Sequence, residues 1–265
     1  MLLGMAGELI SDRPADGVLR LAISHPAKRN ALDQAILDAL THELQSLEDV
    51  RCVILTGRSR MFSSGYDISE IPVEQFSEQA ERLVAHPFCE ALAALDDAEI
   101  PTLAALCGAT IGGGLELALA CDLRLACDHI KLGMPPAKLG LVYSHTGLRR
   151  FVNAIGEPRT RELFLLGRYI DAETALGWGL VNWVVDELEL EATTLELATQ
   201  LAGNAPLSMA GNKRVLRELL RAEAALDPDI ERELLALRES SFSSEDLLEG
   251  VSAFAEKRPP SWKGR

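Results

Sequence analysis

The sequence predicts an α/β fold that ends in a helical extension. Three observations carry this reading. Strand-like and helix-like segments alternate through most of the chain. Several strand candidates are continuous apolar runs, the habit of parallel strands covered on both faces. Beyond about residue 190 only helix formers remain. Alternation of this kind packs helices against a largely parallel sheet.

Residues 17–24, GVLRLAIS, set apolar side chains at every second position and predict a strand. In ALDQAILDALTHELQSLE (31–48), Leu32, Ile36, Leu40, Leu44 and Leu47 recur at helical spacing and form a core-facing stripe. RCVILTG (51–57) is a buried strand closing on glycine, and the same character returns at PTLAALCG (101–108), DLRLA (122–126) and GLVNWVV (179–185). From Glu191 onward ATTLELATQLAG, LSMAGNKRVLRELLRAEAAL and IERELLALRES read as successive helices. A last helix is expected in SSEDLLEGVSAFAEKR, with Ser243 and Asp246 at its N-terminal cap and Pro259 and Pro260 ending it. The chain thus divides into a core, residues 1–195, and a helical region, residues 196–265, too short to bury much of a core alone. No sequence repeat is visible.

Chemistry concentrates in residues 111–147, IGGGLELALACDLRLACDHIKLGMPPAKLGLVYSHTG. Gly112, Gly113 and Gly114 open an apolar helix. Glycines at a helix start let backbone N–H groups approach a ligand, with the positive end of the helix dipole behind them. Two such donors aimed at one carbonyl oxygen make an oxyanion hole, which stabilises an enolate. The plainer alternative is a tight turn that permits close packing. Glu116 weighs against it, because its neighbours are apolar on every side and a carboxylate there needs a partner or a task. A structural Glu116 bonded to backbone donors stays open as an alternative.

At 265 residues and 48% hydrophobic content the chain is long enough for a substantial core. No apolar run reaches membrane-spanning length, and the first residues lack the pattern of a secretory leader. The net charge of −14, from 40 acidic and 26 basic residues, argues against nucleic acid and anionic membranes as partners. Anionic small ligands would need a local basic cluster, for which Lys28-Arg29 and Arg58 with Arg60 are candidates; solvated loop charges are the alternative for both. Five cysteines, scattered in apolar segments without metal-ligand spacing, read as reduced core residues of a cytoplasmic protein. His145, two residues past Tyr143, is a minor candidate proton donor, and Ser63-Ser64-Gly65 lacks the G-x-S-x-G pattern of a hydrolase elbow.

Together, HPAKRNAL, VRCVILTG, MFSSGYDISEI, IPTLAALCGATIGGGLELALACDLRLA, PPAKLGLVYSHTG, ELFLLGRYIDAETALGWGLVNWVV and AFAEKRPP resemble the crotonase (enoyl-CoA hydratase/isomerase) superfamily almost end to end. The resemblance implies a spiral of β-β-α turns, a C-terminal helical region used for trimers that pair into hexamers, and an acyl-CoA thioester as substrate, with coenzyme A part of that substrate and no separate cofactor. It assigns the oxyanion hole to the backbone N–H groups of Gly113 and Tyr66. It places Phe62, Ser64, Asp67 and Ile68 along the acyl-CoA channel beside Gly112, Lys28 and Arg29 near the CoA nucleotide, and Lys257 within reach of a neighbouring subunit's CoA.

Enoyl-CoA hydratases resembling this chain use two glutamates on one water. Glu116 matches the first; Pro136 occupies the place of the second, and proline has no ionisable group. The resemblance is closer to methylmalonyl-CoA decarboxylases, through GYDISEIP, the PPAKLG loop, Tyr143 and SSEDLLEGVSAFAEKRPP. One departure stands out: those enzymes have His where this chain has Tyr66. Decarboxylation of a malonyl-type thioester is therefore the expected reaction, with Tyr143 holding the substrate carboxylate and Glu116 in an unassigned role. A hydratase or isomerase working with Glu116 alone is the alternative, and a non-catalytic acyl-CoA-binding homologue is the second. A core role is the alternative for Tyr143 itself.

Overall fold

The structure, a computed structural model, describes residues 6–66, 84–222 and 226–264. Its architecture is mixed α/β, as expected, and the strands divide between two sheets. The larger sheet is opened by a hairpin of β1 (Glu8–Ala15) and β2 (Val18–Ser24). Parallel pairing then adds β3 (Cys52–Gly57), β5 (Thr102–Leu106), β7 (Leu123–Cys127) and β10 (Trp183–Val185) in that spatial order. The register sets Ile54 against Leu103 and Leu55 against Ala104, all buried.

The smaller sheet is made of three-residue strands: β4 (Met61–Ser63), β6 (Ala109–Ile111), β8 (Lys131–Gly133) and β9 (Tyr169–Asp171). Each of β3, β5 and β7 is followed within a few residues by a short strand of this second sheet. A helix then returns the chain: α2 (Cys89–Asp97) after β4, and α3 (Gly113–Ala120) after β6. This is the β-β-α spiral. Sequence reading resolves only the long strands, because three residues carry too little alternation to register.

Helix α1 (Gln34–Gln45) is capped by Asp33, whose side chain accepts from the Ile36 N–H, and it buries Ile36, Leu37, Leu40 and Leu44. After β8 come the single turn α4 (Pro136–Leu139) and the long α5 (His145–Leu166), which is broken at Gly156. Then α6 (Ala172–Trp178) leads to β10. The C-terminal part consists of α7 (Leu190–Gly203), α8 (Pro206–Ala222), α9 (Pro228–Phe242) and α10 (Glu245–Glu256). The division expected at 195/196 falls inside α7, whose Leu190, Thr194 and Ala198 are buried. Lys213 of α8 reaches back to Asp122 and to the Ile100 carbonyl, each at 2.7 Å.

Two local expectations change. The cap of α10 is Ser244, which accepts from the Leu247 N–H, not Ser243; Ser243 instead ends the preceding helix. The helix stops at Lys257 in a left-handed conformation, before either proline. None of the five cysteines forms a disulfide; Cys52, Cys121 and Cys127 are buried and burial pushes their thiols up to about 12. Cys89 is exposed, since it opens α2 on the face away from Ala91, Leu92 and Leu95. Among the described residues no helix is long and apolar enough to cross a membrane.

Candidate active site

A cavity of about 100 Å³ lies where the second sheet, the start of α3, the loop through α4 and the last two helices meet. Its wall includes Ser64, Gly65 and Tyr66 after β4, and Gly112 and Gly113 at the start of α3. Pro136 and Tyr143 come from the loop region, and Phe242 and Leu247 from α9 and α10. Most of the lining is apolar, as in small-molecule sites generally.

The glycine triplet is explained by geometry. Gly112 has φ +57 and ψ −128, a conformation reserved for glycine, and its N–H donates to the Gly133 carbonyl at 2.9 Å. Gly113 is the first residue of α3, so its N–H has no carbonyl partner a turn earlier and points out of the helix start. A Cβ on Gly113 would stand 2.9 Å from the Tyr66 ring, so the phenol lies directly over the helix terminus. The Gly65 and Gly113 segments also touch, since a Cβ on Gly65 would lie 3.2 Å from Gly113 N. At Tyr66 the parallel bridge to Leu32 uses the Leu32 N–H and the Gly65 carbonyl, at 2.7 Å, and leaves the Tyr66 N–H outside that bond.

Glu116 is 3% exposed and sits one turn into α3. It does not line the cavity; it stands behind Tyr143, whose hydroxyl donates a short hydrogen bond to Glu116 Oε2. Burial raises the Glu116 carboxyl above the usual carboxylate range, while the Tyr143 bond and the charges of Arg150 and Arg238 pull it back down. Arg150 is itself held at 2.8 Å by both oxygens of Asp96. The Tyr143 and Tyr66 phenols are both pushed well up, first by burial and then by the charge of Glu116. The two phenols lie close enough to shift each other's ionisation. The Tyr66 ring packs edge-on against Phe88 at 4.7 Å, and its phenol lies beside that of Tyr143.

The remaining candidates distribute around this centre. Ser64 ties the basic loop to the cavity, since its N–H donates to the Arg29 carbonyl and its hydroxyl to the Lys28 carbonyl, each at 3.2 Å. Lys28 is half-buried and Arg29 exposed at that edge. Phe62 is fully buried in the core, not in the cavity wall, because along β4 it faces inward. Lys257 is exposed, ten residues along from Leu247 and outside the wall of this cavity. Asp67 and Ile68 lie outside the described residues. His145 pairs with Glu231 at 3.5 Å and does not line the cavity. Arg58 and Arg60 border a different hollow of about 390 Å³, in which Arg60 is paired with Glu187 and Arg20 with Glu191.

Sequence reading missed four contributors: Gly147, Arg238, Phe242 and Leu247. A Cβ on Gly147 would lie 2.6 Å from the Tyr143 ring and 2.9 Å from Glu116 Oε1, so this glycine makes room for the pair. The Ser241 hydroxyl, near the end of α9, accepts from the Val142 N–H at 3.1 Å and fixes the Tyr143 loop. Nothing in helical periodicity distinguishes these residues from ordinary packing ones.

A sequence profile for enoyl-CoA hydratase/isomerase matches residues 13–265. The chain is 34% identical to a carnitinyl-CoA dehydratase from Salmonella typhi over 262 residues, 94% of this chain and 95% of that protein. Among solved structures, methylmalonyl-CoA decarboxylase in complex with 2-nitronate-propionyl-CoA superposes with a TM-score of 0.88 at 29% identity, covering 98% of this chain and 99% of that one. An enoyl-CoA hydratase/isomerase from Pseudoalteromonas atlantica gives 0.82 at 29% identity, covering 96% and 99%. With the profile match, the curated relatives and the shared spiral fold in agreement, this chain belongs to the enoyl-CoA hydratase/isomerase family, the crotonases, and processes acyl-CoA thioesters.

Proposed function

We propose that this protein decarboxylates methylmalonyl-CoA or a related malonyl-type thioester. One observation carries the reading: among the described residues no carboxylate lines the cavity, Glu116 being engaged behind Tyr143 and Pro136 standing where related hydratases place their second glutamate. Adding or removing water needs a base and an acid at the water, and proline supplies neither.

Decarboxylation asks less of the protein. With the carboxylate held perpendicular to the thioester plane, the bond from the α-carbon to the carboxyl carbon breaks and carbon dioxide leaves. The bonding pair becomes an enolate, whose oxygen takes up the Gly113 and Tyr66 N–H groups. A proton from solvent or a cavity hydroxyl then reaches the α-carbon and gives the saturated thioester. The raised Glu116 carboxyl stays neutral to higher pH than a surface glutamate and so repels an anionic substrate less. The O–H of a protonated Glu116 donates to the Tyr143 oxygen, which frees the Tyr143 proton to orient the substrate carboxylate, and Lys28 and Arg29 meet the CoA phosphates at the Ser64 edge.

A dehydratase or hydratase reading draws support from the 34% identity to carnitinyl-CoA dehydratase; it would use Glu116 alone, through Tyr143. Separate incubations with methylmalonyl-CoA, crotonyl-CoA and carnitinyl-CoA decide between them. Carbon dioxide from the first is the expected result. Turnover of the enoyl or carnitinyl thioester without carbon dioxide release would overturn it in favour of the dehydratase, and binding without any turnover would leave a carrier.

Assembly into a trimer or hexamer belongs to the same proposal. Leu207, Val215, Leu216 and Leu219 stand exposed along α8, and Ile230 and Leu237 along α9, an apolar surface of the kind that copies of a chain cover for one another.

A further inference from the structure

The side of the cavity that would receive a substrate carboxylate has a cation behind it. Tyr66, Leu141, Tyr143 and Phe242 form one side of the 100 Å³ cavity. The same four residues, with Arg238, also line a second, smaller cavity of about 20 Å³. That volume holds roughly one oxygen-sized atom. One layer of side chains therefore separates the acyl pocket from the Arg238 guanidinium.

Arg238 differs from Arg150 in its pairing. Arg150, the other cation whose charge reaches Glu116, is neutralised by its two-pronged pair with Asp96. Among the described residues the Arg238 guanidinium has no ion pair and no side-chain hydrogen bond, only the Phe242 ring with its centroid at 5.4 Å. Its backbone is fixed to the site, because the Ser241 hydroxyl donates to the Arg238 carbonyl at 2.7 Å while accepting from Val142 beside Tyr143. A half-buried arginine that forms no ion pair among the described residues, standing behind the wall of an apolar pocket, is suited to offset the charge of an incoming anion.

We infer that Arg238 determines specificity here: its guanidinium charge, acting across that single layer of side chains, favours the free carboxylate of the acyl group, so that this site selects acyl-CoA thioesters bearing a carboxylate over their uncharged counterparts. The inference rests on the reading of the cavity as the acyl site and deepens it by naming the residue that reads the charge. Tyr143, once a neutral Glu116 donates to its oxygen and frees its own proton, then orients a carboxylate whose charge Arg238 offsets.

The test uses ligands that cannot react. 2-Carboxypropyl-CoA has a thioether in place of the thioester carbonyl, so it binds without decarboxylating; propyl-CoA is its uncharged counterpart. Titration calorimetry compares both on wild type, Arg238→Met and Arg238→Lys. Arg238→Met should weaken the carboxylated ligand ~10–100-fold, as loss of a unit charge ~6–8 Å from the carboxylate does at an effective dielectric near ~20, and change propyl-CoA less than about twofold. Arg238→Lys should recover part of the loss. Equal weakening of both ligands, or of neither, would overturn the inference. Retained propyl-CoA binding reports that the variant is folded, and Arg238→Gln gives the same comparison should Arg238→Met not fold. Carbon dioxide release by wild type is measured separately. Release with an indifferent Arg238→Met leaves the reaction standing and the inference refuted; no release with lost carboxylate preference does the reverse.

Discussion

Replacing Gly147 by alanine tests the geometry of the site directly. The added methyl would meet the Tyr143 ring at 2.6 Å and Glu116 Oε1 and Ser144 Oγ at 2.9 Å each. Ordinary carbon contacts lie near ~3.5–4 Å, so three neighbours must give way together. Ser144 cannot move freely, because its hydroxyl caps α5 through the Gly147 N–H at 3.1 Å. Nor can the Tyr143 ring, which packs edge-on against Phe164 at 5.4 Å. Overpacking of this kind costs about 1–3 kcal/mol. Alanine's helix preference over glycine returns up to ~1 kcal/mol. Three simultaneous contacts place the overpacking near its upper end, for a net loss of about 2 kcal/mol. For a chain of this size that lowers the melting temperature by roughly 4–8 °C. Turnover should fall on the order of 100-fold if Tyr143 moves by an ångström. Gly177→Ala is the control, since a Cβ there meets nothing within 4 Å; it should raise stability by ~0.5–1 kcal/mol. Scanning calorimetry and the carbon dioxide assay read both variants. A Gly147→Ala protein as stable and active as Gly177→Ala would show that Tyr143 and Glu116 are not held as described.

Four further outcomes are expected. Tyr143→Phe removes the hydroxyl bonded to Glu116, and decarboxylation should drop ~10–150-fold, the kinetic equivalent of ~1.5–3 kcal/mol; propionyl-CoA binding should hold, and equal loss of both would make the tyrosine structural. Pro136→Glu supplies a carboxylate to the cavity wall and should raise crotonyl-CoA hydration, whereas brisk hydration by wild type would show that Pro136 is no obstacle. The folded-state pKa of Glu116 is raised, so its contribution to stability is complete below the unfolded carboxylate pKa and is lost as pH rises through the folded one. Melting curves against pH should therefore show Glu116→Gln gaining on wild type as pH rises, and parallel curves would contradict that sign. Light scattering at micromolar concentration should give a trimer or hexamer; a monomer's mass would leave the exposed leucines of α8 unexplained.

Much of this protein was legible in its sequence, for reasons that are local. The period-two pattern of β2, the apolar runs of β3, β5 and β7, and the 3.6-residue stripe of α1 follow from what each segment must bury. The glycine triplet announced a helix start open to a ligand, and Pro136 announced a missing carboxylate, because both depend on what a residue lacks: a Cβ in one case, an ionisable group in the other. The three-residue strands of the second sheet were not legible, since nothing in three residues separates them from loop.

Only the tertiary structure decided where the side chains point. It turned Glu116 away from the cavity and onto Tyr143, brought the Tyr66 ring over Gly113, and carried Arg238 and Phe242 from the far end of the chain to the pocket. Those placements arise from packing between elements distant in sequence, and propensity and periodicity act over a turn or a strand. A buried charge finds its counterpart through the fold, so the sequence named the carboxylate and the glycines while the structure chose their partners.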